Sequence, residues 1–83
     1  MGRREKIRDY MEDRFLVEFG EDVTPDTDLF KAGVMDSFGY LQLMDFLESE
    51  FGVKISSDEI LGNIFVSLAT IDDFMAEKIE LNA

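Results

Sequence analysis

Few side chains in this sequence could do chemistry, because it contains no cysteine and no histidine. Disulfides, Cys/His zinc sites, thiol nucleophiles and imidazole bases are therefore excluded. Three arrangements remain. The run Asp22-Val23-Thr24-Pro25-Asp26-Thr27-Asp28 has the oxygen density of a calcium loop. Counted from Asp22, however, the turn-glycine position holds Thr27 and the bidentate-glutamate position holds Gly33, so no metal site is expected. Met35-Asp36-Ser37-Phe38-Gly39 lacks the leading glycine and the partner histidine of a nucleophile elbow. Paired carboxylates acting on a substrate would need a cleft, which a chain of 83 residues has little room to build. No catalytic residue is expected, and the chain reads as a non-enzyme.

Asp36-Ser37 is the arrangement that survives. An aspartate directly before an apolar-periodic run is an N-cap, which places Ser37 in the first turn of a helix. Free backbone N–H groups and the positive end of the helix dipole favour an attached phosphate there. Taken alone, the pair is explained as well by a cap and a tolerated serine. The residues that follow add to it. Phe38 and Leu41 fall off the Tyr40/Leu43/Leu47 stripe, so two apolar side chains should lie near the surface beside the serine, with Asp45 and Glu48 continuing that edge. Gly39 costs a helix roughly 0.5–1 kcal/mol relative to alanine. Two explanations stay open for it: close packing against the preceding loop, or room for a partner to approach Ser37.

The elements that must position this pair are all helical. Ile7, Tyr10, Met11 and Phe15 recur at helical spacing over about Arg3 to Phe19, with Gly20 as a left-handed stop. A long loop from Glu21 to Met35 follows. Pro25 and the aspartates and threonines around it make turns, and Leu29-Phe30 should anchor the loop to the core. The second helix runs from Ser37 to about Phe51 and is ended by Gly52. Tyr40, Leu43, Leu47 and Phe51 form its core stripe, flanked by Met44 and Phe46, while Val53 and Ile55 tuck beneath it. Ser56-Ser57-Asp58-Glu59 reads as a capping box opening a short third helix that stops near Gly62-Asn63. Thr70 with Asp73 opens the last helix, which carries Ile71, Phe74, Met75 and Ile79 on one face. The expected fold is all-α: three main helices plus one short helix and a long first loop, forming a single domain over 1–83.

Composition bounds the function classes. A 46% hydrophobic fraction argues against disorder. No apolar run approaches the roughly 18 residues that cross a bilayer, and no apolar stretch follows Arg3-Arg4, so a cytoplasmic protein without membrane span or signal peptide is expected. Nineteen acidic residues against eight basic ones give a net charge of −11, which argues against nucleic-acid binding. Between Ala32 and Ile71 the only base is Lys54, against Asp36, Asp45, Glu48, Glu50, Asp58 and Glu59. Such a field can steer basic partners, although a merely solvated acidic surface would look the same.

The stretch Leu29-Phe30, Gly33, Asp36-Ser37-Phe38, the amphipathic helix, and then Glu50-Phe51-Gly52-Val53 and Ile55 resembles acyl carrier proteins, over nearly the whole chain. The resemblance implies that Ser37 receives 4′-phosphopantetheine from coenzyme A, beside the capping Asp36, and that acyl groups ride on the arm as thioesters. It also implies that Phe38, Leu41, Asp45 and Glu48 form the partner-docking face. The pattern Asp36-Ser37-x-Gly39-x-x-Gln42-Leu43 is closer to D-alanyl carriers and stand-alone carriers loaded by adenylating ligases than to fatty-acid carriers, which usually have leucine and then an acidic residue after the serine. The implied partners are a phosphopantetheinyl transferase, an adenylating acyl or aminoacyl ligase, and a downstream transferase or synthase acting on a monomer. The alternative is an acidic helical interaction module whose Ser37 stays bare.

Overall fold

A computed structural model describes residues 2–62 and 65–81. Among them the chain forms α1 (Arg3–Phe15), α2 (Ser37–Phe51), α3 (Ser57–Gly62) and α4 (Leu68–Leu81), and no strand beyond a bridge between Phe19 and Val23. The expected architecture of three main helices and one short one is the observed one.

The core is built from one face of each long helix. Ile7 and Met11 of α1, Leu43 and Leu47 of α2, and Ile71 and Met75 of α4 are fully buried. Val53 and Ile55 close the cluster from below, as their sequence position suggested. The long loop is tied down by Leu29, which is fully buried. Its N–H donates to the Val66 carbonyl at 2.8 Å, and its own carbonyl accepts from Val34 and Met35 at 2.9 and 3.1 Å. A leucine anchored by side chain and backbone together delivers the chain to Asp36 in one fixed direction.

Two boundaries differ from the sequence expectation. The first helix ends at Phe15, four residues early, because Leu16 adopts a left-handed conformation (φ 58°, ψ 45°). The Glu12 carboxylate then accepts the Phe19 N–H at 2.9 Å, and a turn through Asp22 and Val23 carries Phe19 back against the core. Gly20, expected to end the helix, is the left-handed residue of that turn (φ 99°). The last helix begins at Leu68 rather than at Thr70. Ser67 and Thr70 bond reciprocally, Thr70 N–H to Ser67 Oγ at 3.3 Å and Ser67 N–H to Thr70 Oγ1 at 3.2 Å, so Ser67 is the cap and Thr70 its third-position partner. The capping box of α3 forms as read, with Ser56 N–H donating to Glu59 and Glu59 N–H to Ser56 Oγ. The expected stop of that helix near Gly62-Asn63 falls partly on Asn63, outside the described residues.

Charge fastens the ends of the helices. Asp72, only 5% exposed, accepts from Arg3 Nε at 2.6 Å and from Arg4 Nε at 3.0 Å. Burial pushes the Asp72 carboxyl up, but the hydrogen bonds of both guanidiniums outweigh that and hold it below the usual carboxylate value. Since the folded pKa is depressed, this contribution is present above the ordinary value of 3.8 and is lost as pH falls through the lower, folded value. The arginines are 37% and 49% exposed, which limits the worth of the pair. Asp72→Asn should cost about 1–2 kcal/mol in urea unfolding at pH 7. The cost should shrink toward zero as pH falls below about 3.8; an equal cost at pH 7 and pH 2.5 would show that Asp72 acts through packing instead.

Candidate functional site

Asp36 leaves the loop in extended conformation (φ −116°, ψ −178°), and its Oδ1 accepts the Gly39 N–H at 2.8 Å. That bond ends the loop and starts α2 in one step. Ser37 is therefore the first helical residue; its side chain is exposed and makes no hydrogen bond among the described residues. At the other end Gly52 stops the helix with φ 64°, a conformation glycine takes without strain. Both boundaries of α2 match those read from the sequence.

Gly39 has a cause that neither expectation named. A β-carbon there would lie 2.7 Å from Cε1 of Phe15 and 3.3 Å from Asp36 Oδ1. The glycine makes room for an aromatic ring from α1, not for the preceding loop, and the ring seats the first turn of α2. Arg14, next to Phe15 in sequence, reaches Gln42 Oε1 with both Nε and Nη2 and adds a second link between the helices.

Around Ser37 the surface is apolar. Phe38 is 64% exposed, Leu41 52% and Leu61, on α3, 76%. Ser37 opens onto a notch of ≈130 Å³ lined by Phe30, Tyr40, Leu41, Ile60 and Leu61. Four-four-three spacing puts Leu41, Asp45 and Glu48 on one strip of α2 with Ser37. They extend roughly 16 Å along the axis at 1.5 Å per residue. Asp45 is exposed. Glu48 is half-buried and its Oε2 accepts the Ile55 N–H at 2.7 Å, so it also holds the segment that leaves α2. The sequence reading missed Leu61 and the notch. The signal was the adjacent pair Ile60-Leu61 in a six-residue helix, of which only one can face inward.

Residues 5–75 match the sequence model of the phosphopantetheine attachment site. The chain belongs to that family. It is also similar to D-alanyl carrier proteins: 37% identical over 59 residues to that of Streptococcus suis (strain 05ZYH33), covering 71% of this chain and 72% of the relative. With the D-alanyl carrier protein of Streptococcus pyogenes serotype M5 (strain Manfredo) the identity is 49% over 43 residues, covering 49% of this chain. That match spans about half (54%) of the relative's length. The resemblance to acyl carriers of the D-alanyl kind is thus supported by independent comparison. The family's prosthetic group is phosphopantetheine, covalently attached. The residues around Ser37 fit it: an exposed hydroxyl with no competing partner, helix-start amides suited to a phosphodiester, and apolar surface beside it. Among the described residues no group of His, Cys, Asp and Glu side chains could hold a metal ion, and no helix is long and apolar enough to cross a membrane.

The seat of the first turn can be tested directly. Alanine would gain roughly 0.5–1 kcal/mol of helix propensity at position 39 but force the Phe15 ring aside, and overpacking typically costs about 1–3 kcal/mol. Gly39→Ala should therefore destabilise the protein in chemical denaturation. Combining it with Phe15→Ala should be less harmful than the sum of the two single changes.

Proposed function

We propose that this chain is a carrier domain whose Ser37 hydroxyl receives 4′-phosphopantetheine from coenzyme A, with a phosphodiester forming at Oγ and the nucleotide bisphosphate leaving. When bound, the arm supplies a terminal thiol that carries acyl or aminoacyl groups as thioesters. The protein catalyses nothing itself; it presents cargo to other enzymes. The observation that carries this reading is the exposed, uncommitted Ser37 directly after the capping Asp36, inside a family match over residues 5–75.

The chain's own residues divide the work. Asp36 occupies the Gly39 amide and so fixes the turn, leaving Ser37 exposed beside the notch without a local bond. The remaining amides of that turn lie at the positive end of the α2 dipole, where a phosphodiester is favoured by about 0.3–1 kcal/mol. Phe38 and Leu41 offer apolar contact to a visiting enzyme, and Asp45 and Glu48 give the strip its negative field; α2 contains no basic residue. The partners are a phosphopantetheinyl transferase, an adenylating ligase that loads the thiol, and a transferase or synthase that unloads it. The names of the relatives favour a small aminoacyl cargo, and the filled core favours the same size class.

Two experiments test this. Incubation with coenzyme A and a broad-specificity transferase should add the mass of one phosphopantetheinyl group, and Ser37→Ala should abolish the gain. An unchanged mass for the unsubstituted protein would instead favour an acidic interaction module with a bare Ser37. In the second experiment, transfer should slow as salt rises, and Asp45→Lys should slow it at low salt and flatten the salt dependence. Exposed charges contribute only about 0–1 kcal/mol to stability, so the melting temperature should barely move. Identical kinetics for both proteins across the salt series would remove Asp45 from the docking face. Glu48 is a poorer site for this reversal, because Glu48→Lys strands the Ile55 amide at a cost of about 1–3 kcal/mol.

A further inference from the structure

Tyr40 stands out among the notch residues because it is held at both ends. Its ring lies 5.7 Å from that of Phe30, tilted by 54°, which fixes one side against the long loop. Its hydroxyl accepts the Phe65 N–H at 3.2 Å, which ties the far end to the segment leading into α4. The side chain thus spans from α2, across the space behind Ser37, to the far wall of the bundle. It is 4% exposed, and beyond it the core cluster contains the fully buried Leu43, Leu47, Leu68 and Ile71. The notch in front of it holds ≈130 Å³. A cavity of roughly 150 Å³ takes one benzene-sized group. Ser37, Leu41 and Leu61 form the mouth, and Tyr40 forms the back.

We infer that Tyr40 is the fixed back wall of the notch beside Ser37 and sets the upper size of the group that this notch can bury. The inference gives the carrier reading a cargo class and rests on it for that meaning: an aminoacyl group or a short acyl chain fits, and a longer chain stays in solvent. Two features make the wall stiff rather than yielding. Aromatic rings repack less readily than the methionines that line other parts of this core, and moving the ring would take the Tyr40 hydroxyl away from the half-buried Phe65 amide.

The test does not need the prosthetic group. The chain has no cysteine, so Ser37→Cys introduces a single thiol at the mouth of the notch. Methyl, butyl and octyl methanethiosulfonates each attach one alkyl group: the thiolate attacks the thiosulfonate sulfur, a disulfide forms and methanesulfinate leaves. In this background the melting temperature should level off between butyl and octyl adducts. With Tyr40→Leu added, which keeps an apolar core but removes the ring and its tether, it should continue to rise from butyl to octyl. The expected rise is on the order of 4–8 °C, as for a small domain that buries one or two more methylenes. Tyr40→Phe keeps the ring but loses the tether, so its response should fall between that of the parent and that of Tyr40→Leu. If Tyr40→Leu does not fold, Tyr40→Met serves in its place. A rise from butyl to octyl while Tyr40 is present, or no rise from butyl to octyl once it is shortened, overturns the inference. Neither result bears on whether Ser37 accepts phosphopantetheine, which the mass measurement decides separately.

Discussion

The ring of Phe15 occupies the volume that a β-carbon on residue 39 would need, and the placement of α2 follows from that contact. Helices normally keep 8–10 Å between axes because side chains fill the space between them; a glycine under an aromatic ring removes one of those layers locally. The first turn of α2 is caught between this ring and the Asp36 carboxylate that holds the Gly39 amide. With the turn fixed from both sides, Ser37 has one position relative to the loop, to α3 and to the apolar surface around it. A serine at the start of a freely fraying helix would present its hydroxyl over a range of directions. Here backbone and core share the task of presentation.

Charge is used differently on the two sides of the molecule. Of the bases, Arg3 and Arg4 are taken up by Asp72, Lys6 pairs with Glu50, Lys78 with Glu59, and Arg14 bonds Gln42. These links join elements far apart in sequence, so the few positive charges serve the fold. Most carboxylates have no such duty. The net charge of −11 is therefore expressed outward, and α2 carries no base of its own. In the proposed carrier role, such a surface would steer a basic partner at long range, and the apolar rim near Ser37 would supply the contact at short range.

What the sequence made legible was local. Both ends of α2 are marked by residues acting within a turn of themselves, Asp36 on Gly39 and Gly52 through its own φ, and both were readable. The boundaries that were misplaced depend on choices the pattern does not rank. Leu16 ends α1 in a conformation glycine would favour, and Gly20 a few residues later looked the better stop. Ser67 and Thr70 offered two cap positions with nearly the same spacing rule, and the buried pairing of Asp72 with α1, which helps fix where α4 lies, is visible only in three dimensions. The same holds at the site. Asp36, Ser37, Phe38 and Leu41 could be picked out along one helix, whereas the role of Gly39, the exposure of Leu61 and the notch in front of Tyr40 arise from α1, α3 and the long loop meeting α2.

The ionic link and the aromatic seat between α1 and α2 lie at opposite ends of that seam. Lys6 meets Glu50 near the end of α2, whereas Phe15 meets Gly39 some 17 Å away by the rise of the helix. The seam between α1 and α2 thus has one end fastened by charge and one fastened by packing. Salt, which weakens ion pairs, acts on the first and leaves the ring contact nearly untouched, so the seam between α1 and α2 should loosen first beside Glu50. The molecule can loosen at its distant end without losing its grip on the residue it presents.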